Sequence, residues 1–242
     1  MNKKKLLRYS LAITFFLVSV FLVFSAGSIQ ENRHPCKREK EGVYQDGYWY
    51  ETVALNDRCW LAEDLRKECN NLVEDMEQWA KRSCIYQDDQ KEALFYQWEA
   101  AMNGSDQEKA QGLCPDGWYI PTDEEWIRLE SYLDSQHQSG SNEWRQEGWR
   151  GVDAGDLLKG DQFSCSDSNL CGVANFKAKP TGHVTPDGLR IAEGRGAYWW
   201  TSSKKEGEGK AWDRFLSDNN SGMSRYPRDF DYGYSIRCIK RN

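Results

Sequence analysis

Three groups of side chains in this sequence could do chemistry. The first is Pro121-Thr122-Asp123-Glu124-Glu125-Trp126, whose adjacent carboxylates could hold a metal or serve as an acid/base pair. Helix capping accounts for them without either. Thr122 reads as an N-cap with Glu125 three residues on as its capping-box partner, and Asp123 and Glu124 put negative charge in the first turn. The second group is eight cysteines: Cys36, Cys59, Cys69, Cys84, Cys114, Cys165, Cys171 and Cys238. No CxxC occurs, and His34, His137 and His183 stand apart from the cysteines, so disulfides are expected rather than thiolate–zinc ligation. Eight cysteines allow on the order of a hundred connectivities. The closely spaced Cys165 and Cys171, in a hydrophilic stretch, read as one small disulfide.

The third group is Trp212, Arg214, Arg225, Tyr226 and Arg228. It combines flat apolar faces with guanidinium forks, suited to sugar hydroxyls or carboxylates. Trp144 and Trp149, in the polar stretch before Cys165, join them as expected exposed ligand contacts. The competing reading has Trp212 buried and the arginines paired with Asp213, Asp229 and Asp231. Asp213, Asp218, Asn219 and Asn220 could offer oxygens to calcium. Ordinary turn chemistry explains Ser217-Asp218-Asn219-Asn220-Ser221-Gly222 equally well, and is preferred. The sequence carries no Ser-His-Asp set, no HExxH and no phosphate loop, so no catalytic residue and no cofactor are expected.

These residues need elements to position them. An Asp46-Gly47 turn between residues 43–45 and 48–53 predicts a hairpin, and Asn56-Asp57 predicts a second turn before residues 58–61. Leu72, Met76, Trp79 and Ala80 predict a helix over residues 70–82. Leu94, Phe95, Trp98 and Met102 predict another over residues 90–102, with core packing as the role of both stripes. A third helix opens at Thr122, with Trp126, Leu129 and Leu133 facing inward. Short strand-like runs follow. In the last of them Tyr234, Ile236 and Cys238 alternate with Ser235 and Arg237, as in a half-buried strand. Alternation in residues 211–216 sets Trp212 on the opposite face from Ala211 and Phe215. Helices followed by several short strands argue α+β.

Bulk properties bound the location. Lys3, Lys4, Lys5 and Arg8 precede an apolar run over residues 11–24, and Ser25-Ala26-Gly27 supplies small residues at a cleavage position. Residues 1–27 are therefore expected to be a signal peptide, with an uncleaved membrane anchor as the alternative. Residues 28–42 are expected to be a flexible leader, and residues 43–242 one domain. Removing residues 1–27 takes four cations and no carboxylate, so the net charge moves from −6 to −10. That surface disfavours nucleic acid and anionic headgroups. An even cysteine count outside the cytoplasm fits disulfides.

The block Trp60-Leu61-Ala62-Glu63-Asp64-Leu65, the helix Leu94-Phe95-Tyr96-Gln97-Trp98-Glu99-Ala100-Ala101-Met102, the capped Cys114-Pro115-Asp116-Gly117-Trp118 block, Tyr198-Trp199-Trp200-Thr201-Ser202-Ser203 and Ser235-Ile236-Arg237-Cys238 occur in that order. Together they resemble the Fibrobacter succinogenes major paralogous domain family, related to the C-type-lectin-like fold, over residues 46–241. Asp64 departs from the family's usual Asn. The resemblance implies a compact α+β domain with two to three helices and several short antiparallel strands. Its terminal strands pair, and its irregular second half faces ligand. It also implies a Cys114–Cys238 bond. Cys36 and Cys69 lie outside the matching blocks, and elimination gives Cys59 with Cys84 and Cys36 with Cys69.

On function, the fold relationship implies a secreted or cell-surface binding module for glycan or protein. The alternatives are an oxidase of the formylglycine-generating group or a purely structural envelope protein. Such oxidases use a close cysteine pair near the end of the domain, where only Cys238 stands here. Calcium-dependent lectins use Glu-Pro-Asn or Gln-Pro-Asp with Trp-Asn-Asp, whereas this chain has Lys179-Pro180-Thr181 and Trp212-Asp213-Arg214.

Overall fold

A computed structural model describes residues 35–36, 42–73, 83–86, 94–207 and 209–241. The expected signal peptide, most of the leader and the core of the expected 70–82 helix, with Met76, Trp79 and Ala80, lie outside the described residues. Asp46 and Gly47 both take positive φ, 49° and 86°, the mirror-image turn that suits twisted strands. They join β1 (Val43–Gln45) to β2 (Tyr48–Tyr50). Asn56 and Asp57, at 48° and 56°, repeat the device between β3 (Thr52–Leu55) and β4 (Arg58–Leu61).

β5 (Cys84–Tyr86) pairs antiparallel with β6 (Leu94–Tyr96), and a single helical turn, α1 (Trp98–Ala101), follows. Of the expected helix over residues 90–102, residues 94–96 are strand and only 98–101 are helical, while residues 90–93 lie outside the described residues. The Tyr96 backbone exchanges hydrogen bonds of 2.8 and 3.0 Å with Tyr234, and such long-range pairing overrides local helical spacing. Leu72 and Val73 are not helical either, because Val73 N–H bonds the Cys84 carbonyl at 2.9 Å.

β7 (Trp118–Tyr119) leads into α2 (Asp123–Leu133), whose capping box is formed as expected. Glu125 N–H donates to the Thr122 hydroxyl at 3.2 Å, and Thr122 N–H donates to the Glu125 carboxylate at 2.9 Å. After a 3₁₀ turn (Asn142–Arg145) come β8 (Gly148–Arg150), α3 (Ala154–Leu158) and the small hairpin β9 (His183–Val184) with β10 (Arg190–Ile191). The remaining strands are β11 (Gly196–Lys205), β12 (Lys210–Ser217), β13 (Asn220–Arg225), β14 (Pro227–Asp229) and β15 (Ile239–Lys240).

Two sheets organise the α+β domain. One runs β3-β4-β15-β7, so residues far apart in sequence close it: Ile239 faces both Trp60 and Tyr119. The other runs β11-β12-β13-β8, with β14 continuing the line of β13 along β12. Between them Trp60, Trp126, Phe176 and Trp199 pack with ring centroids 5.1–6.0 Å apart. The segment 234–238 is not half-buried as its alternation implied. Tyr234, Ile236 and Cys238 face one core while Ser235 and Arg237 are equally buried, because the segment runs between layers. Arg237 is matched by Asp64, whose Oδ1 accepts its Nε at 3.0 Å, its Nη2 at 2.7 Å and the Trp199 indole N–H at 2.8 Å. Three sequence blocks therefore meet at one buried carboxylate.

All eight cysteines are bonded. Cys114–Cys238 and Cys165–Cys171 form as expected. The other two pairs are Cys36–Cys59 and Cys69–Cys84, not Cys59 with Cys84 and Cys36 with Cys69. The parallel bridge of Leu72 to Cys84 brings Cys69 beside Cys84 and leaves Cys59, on β4, to Cys36. Four disulfides mark an oxidising, extracytoplasmic environment. Among the described residues no helix is long and apolar enough to cross a membrane.

Candidate functional site

The five expected ligand-binding residues do not share a surface. Directly opposed residues in an antiparallel pair project to the same side, and side chains alternate along each strand. Tyr198 opposes Phe215, Phe215 opposes Ser224, and Ser224 opposes Trp149. Trp200 opposes Asp213, and Ala211 opposes Arg228. In the same register Asp213 N–H bonds the Tyr226 carbonyl at 2.8 Å, so Tyr226 belongs to this side. The opposite side carries Trp199, Trp212, Arg214, Met223, Arg225 and Arg150, and α2 and α3 cover it.

The helix side is a closed ionic network. Arg225 grips Asp123 through two bonds of 2.7 Å and donates its third nitrogen to the Arg145 carbonyl at 3.1 Å. Arg214 bonds Asp123 at 2.9 Å, the Asp213 carbonyl at 2.8 Å and the Glu130 carboxylate. Arg150 bonds the other Glu130 oxygen and the Trp144 carbonyl. Burial works against Asp123, but Arg214 and Arg225 outweigh it and hold its carboxyl at about 2. Burial lowers Arg150 to about 10 despite Glu130. Arg214 and Arg225 are therefore structural, and their partners are Asp123 and Glu130 rather than Asp229 or Asp231. Asp123 has a second role beyond capping. Trp212, half-buried at the sheet's rim, stacks under Arg225 with the guanidinium carbon 3.3 Å from its ring centroid.

Trp144, expected to be exposed, is buried. Its indole N–H donates to the Gln138 carbonyl at 3.1 Å and its ring edge meets His137. Gly151, at φ 71°, lies so close that a Cβ there would be 3.0 Å from the Trp144 ring.

The other side is open over part of its area. Trp149 is 42% exposed, Tyr226 41% and the Arg228 side chain 39%. Trp149 leans on Phe215 at 5.0 Å, Phe215 stacks on Tyr198 at 4.2 Å, and Tyr198 meets His183 at 4.3 Å. Tyr232 closes the border 6.0 Å from His183. Residue types alone drew no attention to Phe215, Tyr198, His183 or Tyr232. Strand alternation through Trp149 and Arg228 was the available signal.

Asp213 sits beneath this surface. Burial pushes its carboxyl up to about 6, against the pull of Arg228. Burial, assisted by Arg228, holds the His183 imidazole down at about 4. The calcium candidates do not converge. Asp213 faces Arg228 at 3.3 Å, whereas Asp218 and Asn219 form the β12–β13 turn and accept from the Ser217 hydroxyl at 3.2 and 2.7 Å. The four strand residues 214–217 separate Asp213 from Asp218, roughly 15 Å along the strand. Among the described residues no cluster of three or more His, Cys, Asp or Glu could hold a metal. A hollow lined by Gln162, Asn175, Lys177 and Lys179 offers little free cation. Lys159 at its wall is buried on Asp156 at 2.6 Å, and Lys177 pairs with Glu51.

No curated protein and no solved structure matches the chain. Residues 53–240 match the Fibrobacter succinogenes major domain, and they include the capped helix, the Asp64–Arg237 junction and both faces of the β11–β14 sheet. The chain belongs to the Fibrobacter succinogenes major domain family.

Proposed function

We propose that this is an exported, non-enzymatic binding module of C-type-lectin-like architecture whose ligand is a glycan, held on the open face of the β11–β14 sheet. One observation carries the reading. Trp149 and Tyr226 stand exposed on a sheet whose other side is locked by buried ion pairs, and half-buried Phe215 extends the apolar surface beside Trp149, with the buried Tyr198 ring stacked behind it. Rigid, half-exposed aromatic rings of this kind offer flat apolar faces to the C–H side of sugar rings at low entropic cost. The basic segment and apolar run of residues 3–24 support secretion or surface display, as do the disulfides. An oxidase reading gains little support, since Cys238 is buried and bonded to Cys114, and Cys165 is spent on Cys171.

Glycan-array binding with the exported domain tests this. Wild type should bind carbohydrate, and the Trp149→Ala/Tyr226→Ala variant should lose about tenfold or more in affinity, as aromatic contacts commonly do. A wild type that binds no glycan, or binding untouched in the double variant, rejects it.

A further inference from the structure

The arginines of this sheet differ in what they have left to give. Arg214 and Arg225 spend all three guanidinium nitrogens on the protein, and Arg150 spends both terminal ones. Arg228 spends only Nε, on Asp213 Oδ2 at 3.3 Å. Among the described residues its Nη1 and Nη2 have no partner, and the side chain is 39% exposed. Asp213 cannot move away with it. That carboxylate is 1% exposed, and its Oδ1 accepts the Tyr226 N–H at 2.8 Å. The Tyr226 and Tyr232 rings flank the guanidinium, 5.2 and 5.9 Å from its carbon. A fixed anion behind, two rings beside and two free donors in front make a pre-oriented fork.

Resting on the platform reading above, we infer that Arg228 is the specificity-determining contact of that platform and that it reads a carboxylate on the sugar, so that the ligand is an acidic, uronate-bearing glycan. A planar fork with two parallel N–H groups matches the two oxygens of a carboxylate, whereas a single hydroxyl uses only one of them. The sugar ring bearing the carboxylate then lies on Tyr226, with neighbouring rings reaching Phe215 and Trp149. Overall charge refines the class. A domain at −10 after loss of residues 1–27 repels a long polyanion, and that repulsion acts over about 10 Å at moderate ionic strength. The fitting ligand therefore carries isolated uronates among neutral sugars rather than an unbroken acidic chain.

Titration calorimetry on the exported domain separates the possibilities. The probes are an oligosaccharide with one glucuronic acid, its methyl ester, and a contiguous oligogalacturonate. The free acid should bind about tenfold or more tighter than its ester, the range expected for a charge-assisted hydrogen-bonded pair. It should also bind tighter than the oligogalacturonate. Arg228→Gln should bring the acid's affinity down to the ester's and leave the ester unchanged. Arg228→Lys keeps a cation over Asp213 and so guards against misfolding. It should recover only part of the preference, since it lacks the fork.

Equal binding of acid and ester by wild type overturns the inference, as does a preference surviving in Arg228→Gln or fully restored in Arg228→Lys. So does tighter binding of the oligogalacturonate, or of a peptide through its terminal carboxylate. If the ester binds in a Trp149-dependent way without preference for the acid, the carboxylate assignment fails while the platform stands. If no saccharide binds at all, both fail.

Discussion

Arg225 and Arg228 are three residues apart on one line of strand, yet they face opposite ways and do opposite work. On the helix side, Arg225 joins Arg214, Arg150, Asp123 and Glu130 in a network where nearly every donor is used. On the open side, Arg228 meets one buried carboxylate and keeps its fork. Composition does not separate them, since both sides mix arginine, aspartate and aromatic rings. Donor accounting does. A guanidinium with five N–H groups is structural when the protein consumes them and available for recognition when it does not. The locked side also gives the open side its rigidity.

The strongest way to break this contrast is Glu130→Gln. It takes from buried Arg150 the carboxylate it pairs with and leaves buried Arg214 with Asp123, and should cost about 3–5 kcal/mol in urea unfolding. A loss under about 1 kcal/mol would mean the network is not what fixes the sheet. Acid should act next. Asp123 is held below its unfolded value of 3.8, so its contribution is present above about pH 4 and is lost as pH falls towards 2. The loss should be about 2 kcal/mol, and Asp123→Asn should flatten the curve of Tm against pH in that window.

The open side should respond more weakly, because its two shifted groups oppose each other. Asp213, facing Arg228, Arg214, Tyr198 and Tyr234, is raised, so its stabilisation is full below about pH 4 and is lost as pH rises through 6. His183, facing Arg228 and the rings of Tyr198, Tyr232 and Tyr234, is depressed, so its share is present above 6.5 and lost as pH falls through 4. Wild-type Tm should stay nearly level between those limits. His183→Gln should tilt it, with stability rising on acidification, and a level profile in that variant would show that Asp213 is not shifted. The smallest effect is expected for Trp149→Ala and Tyr226→Ala, each below about 1 kcal/mol by chemical denaturation, as for other exposed positions. A larger loss would make these rings structural.

Features governed by neighbours in sequence were legible beforehand. The two positive-φ turns, the capping box at Thr122 and the short-range Cys165–Cys171 bond follow from a few adjacent residues. The Cys114–Cys238 bond came through family likeness. What local reading missed depended on distant partners. Residues 94–96 carry a helical stripe but pair with β5 and Tyr234, and Trp144 sits in a polar stretch but under Gly151. The site was half legible. Arg228, Tyr226 and Trp149 stand on the open face, whereas Arg214, Arg225 and Trp144 share their residue types but are turned into the locked side or the interior. Alternation had already put Trp212 opposite Phe215, and carrying it across the Asp218-Asn219 turn separates Arg225 from Arg228 as well.

The junction of β15 with β4 and β7 has a kinetic consequence. Ile239 pairs with Trp60, Arg237 anchors on Asp64, and Cys238 bonds Cys114, so an inner strand of the four-stranded sheet is synthesised long after the β4 and β7 strands that flank it. Such a topology has high contact order, and the entropy of closing so long a loop precedes any reward from the contacts. Until residue 240 has been synthesised, β4 and β7 present unsatisfied edges and Cys114 lacks its partner. The nascent chain is then exposed to mispairing and wrong disulfides over that interval.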